Sequence, residues 1–135
     1  MDAKKRDDLK AKLSAQPEPR VVPADVFFDG NDDEGSIGCN LTDHPGIDVF
    51  RSVLLGILGR ADVVAAYAQI SEVDPGVEYW PFADWVFVVG TISRGDLANA
   101  LAPLQPDDVG LPGYLGVPEA ITRQHDAPVL VAWWD

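Results

Sequence analysis

The sequence predicts an α+β fold, a two-layer ferredoxin-like βαββαβ sandwich with an added N-terminal helical segment. An unbroken run of aromatic and β-branched residues at 85–92 is typical of a central strand covered on both faces. A periodic apolar pattern at 47–58 predicts a helix that covers the sheet. After residue 35 the elements follow the order strand, helix, two strands, helix, strand, which is the split βαβ order of ferredoxin-like folds.

The chain divides into residues 1–20, an N-terminal helix with a proline-rich spacer, and residues 21–135, a single α+β domain. The spacing of Leu9 and Leu13 predicts a helix over 3–15. Its apolar stripe is thin, so we expect this helix to dock loosely or to fray.

The segment 23–30 has a proline near its start and a glycine at its end, which favours one or two helical turns over a short strand. The segment 31–35 is a turn too polar to be buried. Apolar residues then alternate over 36–41, which predicts a strand. We expect this strand beside the 85–92 strand in the middle of the sheet.

The helix at 47–58 is expected to be capped by Asp43 or His44, with Pro45 in its first turn and Gly59 at its end. Its apolar residues fall on one face, so this helix should cover one side of the sheet. Those residues are Ile47, Phe50, Leu54, Ile57 and Leu58, extended by Val53.

The second half of the chain supplies two more strands and one helix. Residues 66–73 have both helical and strand spacing, and the turn that follows them favours a strand. Ser93 can cap a helix, with Asp96 as the acidic partner of a capping box. Residues 105–127 have no periodicity, and such long loops are usually functional or poorly ordered. Residues 128–135 form the last strand.

Short connections and right-handed crossovers would place both helices on one face of the sheet. The opposite face would then be covered by the N-terminal segment or by a partner, or it would lie open to solvent. The sequence leaves these alternatives open, and it leaves the oligomeric state open as well.

Charge is the most unusual property of the sequence. The 135 residues carry a formal net charge of −12. Residues 1–20 are slightly basic, so residues 21–135 hold all of the negative excess. Such a surface repels phosphate backbones and anionic membranes, which argues against nucleic-acid and membrane partners and favours a basic partner. Keeping a small protein soluble is the alternative use of this charge.

The cysteine count and the apolar segments indicate a cellular compartment. Cys39 is the single cysteine, which excludes an internal disulfide framework. No N-terminal signal peptide and no apolar stretch of about 20 residues is found. We therefore expect a cytoplasmic protein.

The acidic turn at 29–35 has oxygen ligands at alternating positions, as a calcium loop does. Its glycine falls one place late, and Asn40 occupies the position of the bidentate glutamate. We therefore predict a solvated turn or an anionic contact loop, with no metal ion and no cofactor.

No catalytic residue is assigned from the sequence. Cys39 and His44 are close enough to suggest a nucleophile pair, but the strand pattern points Cys39 inward, which favours an inert core thiol. His125 is expected to be a surface imidazole. One cysteine and two histidines cannot assemble a zinc site, and no glycine-rich phosphate loop occurs.

Aromatic residues are candidate contact residues for a partner. Trp80 precedes the central strand, and Tyr114 lies in the long loop. Trp133 and Trp134 are adjacent, so on a strand one of them should face away from the helices. A tryptophan exposed there would suit an interface hot spot, and a tryptophan covered by the N-terminal segment would not.

Together these features favour a protein-binding module over an enzyme. In overall character, and in the segments DGNDDEGSIG (29–38) and WPFADWVFV (80–88), the chain resembles the immunity proteins of bacterial toxin systems, which are often small acidic α+β domains. The resemblance implies a bacterial protein that neutralises a basic toxin by direct binding. Attraction would come from Asp29, Asp32, Asp33, Glu34, Asp107 and Asp108. Desolvated contact would come from Trp80, Tyr114 or Trp134.

Two alternatives come from other classes. The first is a small-molecule or metal-dependent enzyme, in which the open sheet face forms a pocket and the carboxylates of residues 29–34 act on a cation. The second is a structural domain that self-associates through the face of its sheet.

Overall fold

The computed structural model describes residues 1–114 and 116–135, which form five helices and five strands. The helices are α1 (Ala3–Ser14), α2 (Ala24–Phe28), α3 (Ile47–Leu58), α4 (Arg94–Leu101) and α5 (Glu119–Thr122). The strands are β1 (Val21–Pro23), β2 (Val63–Glu72), β3 (Phe82–Gly90), β4 (Asp108–Gly110) and β5 (Val129–Trp133). None of the helices in this part of the chain combines the length and the apolar content of a bilayer span.

The five strands form one antiparallel sheet in the order β1-β2-β3-β5-β4. The apolar strand β3 lies in the middle, where Trp85 pairs with Gln69 of β2 and with Trp133 of β5. Helices and a single sheet occur together, so the α+β prediction is confirmed.

The strand predicted at 36–41 does not form. A short 3-10 helix, Glu34–Ser36, occupies its start, and only Ile37 makes a single parallel bridge to Ala83. Gly38 then adopts a φ of 65°, which turns the chain away from the sheet. The short strand β1 pairs with β2 instead, so the strand order differs from the predicted ferredoxin-like order.

The start of α3 also differs from the prediction. Gly46, with a φ of 102°, precedes the first helical residue, and neither Asp43 nor His44 caps the helix. The Ser93 cap predicted for α4 is confirmed, because Ser93 Oγ accepts a hydrogen bond from the amide of Asp96 at 3.1 Å. The Asp96 carboxylate lies 3.6 Å from Arg60 and does not complete the predicted capping box among the described residues.

Helices α1 to α4 cover one face of the sheet. The buried residues of this face form one cluster that includes Phe50 and Leu54 of α3 and Leu97 of α4. Leu9 and Leu13 belong to the same cluster, so α1 is packed on the body. The expectation that this helix docks loosely is wrong. Two leucines are enough to hold α1 on the body because both side chains are almost completely removed from solvent.

The opposite face, called here the second face, carries the alternate residues of the same strands. Tyr67, Phe87 and Val131 are buried there beneath Ile121 of α5. The long loop predicted at 105–127 therefore contains β4 and α5, and its second half packs on this face. These elements have three and four residues, which is too short to produce a periodic sequence pattern.

Gly90 ends β3 at a position that only glycine can occupy. Its φ is 151°, and a Cβ atom at this residue would lie 2.2 Å from the carbonyl oxygen of Asp62. The close approach lets the chain leave the sheet and enter α4 without a longer loop.

Candidate functional site

A groove on the second face is the candidate site. Residues 18–20 form one wall and residues 116–119 form the other, and β2 and β3 supply the floor. Its volume is about 710 Å³, and it is called here the sheet groove. The floor contains Gln69, Ser71 and Trp85, together with Asp84.

The sheet groove continues along the chain that covers the second face. A neighbouring cavity of about 380 Å³ shares Glu18, Pro19 and Glu119 with it and extends past Tyr67 to Gln124. The two cavities are therefore adjacent, and both lie between the proline-rich segment and α5.

The proline-rich wall is held in place by Arg20. The Arg20 Nε atom donates to the carbonyl oxygens of Leu13, at 2.8 Å, and Gln16, at 3.2 Å. The Arg20 carbonyl in turn accepts from the amide of Ile70 at 2.9 Å. This wall is thus fixed both to the end of α1 and to β2.

The α5 wall is held by packing and by one polar contact. Ile121 is buried against the sheet, and Tyr67 Oη lies 2.7 Å from His125 Nε2. Burial raises the pKa of the Tyr67 phenol above its usual value of 10.0. The prediction of a surface imidazole at His125 is wrong, because the ring is half-buried against Tyr67.

Asp84 owes its position to a β-bulge. Ala83 pairs with Ile70 and Trp85 pairs with Gln69, so Asp84 is the extra residue of β3 between two successive pairs. Its carbonyl oxygen accepts a hydrogen bond from the amide of Trp134 at 2.9 Å. Bulges redirect side chains, and this one places a carboxylate in the floor of the sheet groove.

One oxygen of the Asp84 carboxylate lacks a partner among the described residues. Its Oδ1 atom is buried and has no hydrogen-bond partner there. Desolvation by burial raises the pKa of Asp84 above its usual value of 3.8. A carboxylate in this state can bind a cation or accept a hydrogen bond from a ligand.

The walls of the groove are electrostatically different from its floor. Glu18 pairs with Arg20 at 3.1 Å, and Glu119 pairs with Arg123 at 2.8 Å. Both carboxylates are largely exposed, so these ion pairs contribute little to stability. Asp84 therefore carries the uncompensated charge of the groove.

Asp84 was not singled out as a site residue from the sequence. The available signal was its position as the one ionisable residue of the strand at 82–90. A strand buried on both faces excludes charge unless a bulge or a ligand accommodates it.

The acidic turn lies away from the groove and is attached to the N-terminal helix. Asp29 pairs with Lys5 Nζ at 2.8 Å, and Asp32 pairs with the N-terminal ammonium group at 2.7 Å. The hydrogen bond to Asp29 raises the pKa of Lys5. The charges of these two carboxylates are thus partly neutralised within the protein.

The remaining acids of the turn have structural roles. Asp33 accepts hydrogen bonds from the amides of Gly35, at 3.0 Å, and Trp80, at 3.1 Å, and Glu34 lies 3.8 Å from His44. Asn31 is fully buried, so the prediction that the turn is too polar for burial is wrong at this residue. Its amide nitrogen donates to Ser36 Oγ, which satisfies both side chains. No group of three metal-ligating side chains occurs in the described ranges.

The predicted aromatic contact residues separate into buried and exposed ones. Trp80 and Trp134 are 1% and 3% exposed, so neither can contact a partner in this conformation. Trp134 Nε1 donates to the Leu104 carbonyl at 2.8 Å. Trp133 is the member of the pair that faces the second face, where its ring lies 6.1 Å from that of Trp85.

Tyr114 and two acids remain at the surface. Tyr114 is 99% exposed. Asp108 lies at the start of β4, 3.6 Å from Arg94, and Asp107 accepts a hydrogen bond from the amide of Asp135. These residues are accessible to a partner, but they do not line the sheet groove.

The prediction that Cys39 is an inert core thiol is wrong. Cys39 is exposed, because the strand that would have buried it does not form. His44 Nε2 lies 2.8 Å from the Ile37 carbonyl, and Nδ1 accepts from the amide of Gly46 at 2.9 Å. Both ring nitrogens therefore serve the loop before α3.

Comparison with known proteins gives one match. The model of the Uncharacterized protein YfbO family matches residues 4–130. The chain belongs to this family. The matched range includes the residues of both walls and of the floor of the sheet groove. No curated protein and no solved structure matches the chain.

Proposed function

We propose that this protein is a non-enzymatic, acidic protein-binding module that docks on a basic partner, in the manner of immunity proteins that neutralise bacterial toxins. The internal pairing of its cations carries this proposal. Every lysine and arginine except Lys12 forms an ion pair within the described residues. With its cations occupied, the chain presents an excess of carboxylates to a partner.

The contact residues are proposed from this excess. Several carboxylates form no ion pair among residues 1–114 and 116–135. They are not the carboxylates of the acidic turn, which the sequence predicts as contact residues. Asp107, Asp108 and the fully exposed Tyr114 are retained as surface contact residues. The proposed contact acids without a cation are Asp25, Glu72, Glu78, Asp84 and Asp126.

The test has two stages. The full chain is first used to capture partners from its native host, and association rates with the captured protein are then measured across a salt series. Electrostatic steering predicts an association rate that falls steeply as the Debye length shortens, while the dissociation rate changes little. Partners that are acidic, or an association rate independent of salt, would overturn the proposal.

A second candidate function, binding or conversion of a small molecule, is favoured by the sheet groove itself. A volume of about 710 Å³ lies within the range of small-ligand sites, and a desolvated carboxylate is a common feature of them. The version that relies on residues 29–34 is not supported, because these carboxylates are outside the groove and are bonded within the protein. Saturable stabilisation of the chain by a small molecule, abolished by Asp84→Asn, would favour this candidate.

A further inference from the structure

We propose that the sheet groove binds an extended segment of the basic partner, and that a lysine or arginine of this segment pairs with Asp84. This inference rests on the proposed function and names the part of the partner that is recognised. It depends on three observations: the carboxylate oxygen without a partner, the second cavity that adjoins the groove, and the aromatic ring on its floor.

The carboxylate determines the chemistry of the ligand. Asp84 lines the groove and its Oδ1 atom has no donor among the described residues, so a ligand that supplies a charged donor to this carboxylate gains a charge-assisted hydrogen bond. An anion in the sheet groove would meet Asp84, Glu18 and Glu119 against Arg20, and the adjoining cavity adds Arg123; both arginines are already paired with glutamates. The groove therefore selects cations.

The second cavity favours a ligand longer than one side chain. It adjoins the sheet groove at Glu18, Pro19 and Glu119 and extends to Gln124, and the walls are fixed by Arg20 and by α5. A peptide in an extended conformation can occupy both cavities and place every second side chain toward the floor.

Trp85 supplies the apolar part of the contact. Its half-buried ring lies next to Asp84 in the sequence and on the floor of the groove. The methylene stem of a lysine or arginine can pack against an indole while its charged group reaches a carboxylate. Asp84 and Trp85 together form a site for a long cationic side chain.

The experiment titrates the isotopically labelled full chain with the peptide Ac-(Gly-Lys)3-NH2 at low salt, followed by NMR. We expect saturable shifts at Gln69, at the Trp85 indole and at residues 116–119. The matched pair of variants is Asp84→Asn and Asp43→Asn, since each removes one negative charge. Asp43 is exposed and makes no ion pair within the described chain.

Asp84→Asn should weaken binding at least about tenfold, and Asp43→Asn should change it less than about twofold. Ser71→Arg, at an exposed position of the floor, should also abolish binding by supplying a competing cation. It provides a second test in case Asp84→Asn alters the fold. The peptide Ac-(Gly-Glu)3-NH2 should not bind.

Three outcomes would overturn the inference. Equal effects of the two asparagine variants would remove Asp84 from recognition. Salt-sensitive shifts spread over exposed carboxylates outside the groove would overturn the groove site but support the proposed function. Absence of any binding by the lysine peptide at low salt would count against both.

Discussion

Replacing Asp84 with asparagine should stabilise the protein at neutral pH. The carboxylate is desolvated in the folded state, and its Oδ1 atom has no partner in the described part of the chain. Asparagine has almost the same shape but carries no charge, so it removes the cost of burying the ionised group. A buried polar atom without a partner costs about 1–3 kcal/mol and a charged one costs more, and asparagine removes only this additional cost of the charge. Because Asp84 is only half-buried, we expect a gain of about 1 kcal/mol, at the low end of that range.

The stabilisation should depend on pH. The pKa of Asp84 is raised above 3.8 in the folded protein, so the folded state binds the proton more tightly than the unfolded state does. In the wild type, the contribution of Asp84 to the free energy of unfolding is fully present below the pKa of the unfolded state. It is lost as the pH rises through the pKa of the folded state. The difference between the variant and the wild type should therefore be largest at neutral pH and should shrink toward the unfolded pKa.

The assay is urea unfolding of the wild type, Asp84→Asn and Asp43→Asn over a range of pH. At neutral pH, Asp84→Asn should also raise the Tm by about 3–5 °C, as expected for about 1 kcal/mol in a chain of this size. The exposed control Asp43→Asn should stay within about 0.5 kcal/mol of the wild type. A loss of stability in Asp84→Asn, or a gain that is the same at every pH, would refute the reasoning.

The remaining predictions concern the N-terminal helix, the end of β3 and the acidic turn. Leu13→Ala should lower the free energy of unfolding by about 2–5 kcal/mol, because a fully buried side chain is truncated, whereas the exposed Lys12→Ala should have little effect. If Leu13→Ala did not lower the free energy of unfolding in urea, residues 1–20 would behave as a separate segment and the predicted domain division would hold. Gly90→Ala should cost at least about 3 kcal/mol in the same assay because its Cβ would overlap the Asp62 carbonyl, and a near-neutral result would contradict the described backbone. Titration with Ca²⁺, Mg²⁺ or Mn²⁺ should produce no saturable rise in Tm, because the acids of the turn are already bonded within the protein, and such a rise would restore the metal-dependent alternative.

Local sequence patterns predict the elements that are long and periodic. The helix that contains Phe50 and Leu54, the strand that contains Trp85 and the cap at Ser93 all follow from residue spacing. The alternation over 36–41 is misleading because Gly38 takes a left-handed conformation that the apolar pattern does not encode.

The candidate site could not be predicted because it depends on distant pairings. The walls of the sheet groove come from residues 18–20 and 116–119, which lie at opposite ends of the sequence. The register between β2 and β3 contains a bulge, and a shift of one residue decides which side of the sheet a side chain occupies. Asp84 reaches the floor only because of that bulge.

The four tryptophans form two optically distinct classes. Trp80 and Trp134 are sealed in the core, whereas Trp85 and Trp133 lie half-buried and side by side on the second face. A collisional quencher such as acrylamide should therefore reach the second pair and spare the first. Intrinsic fluorescence can thus report the binding of a ligand to this surface without an attached dye. The fluorescence that acrylamide does not quench comes from the core tryptophans and shows whether the core remains folded.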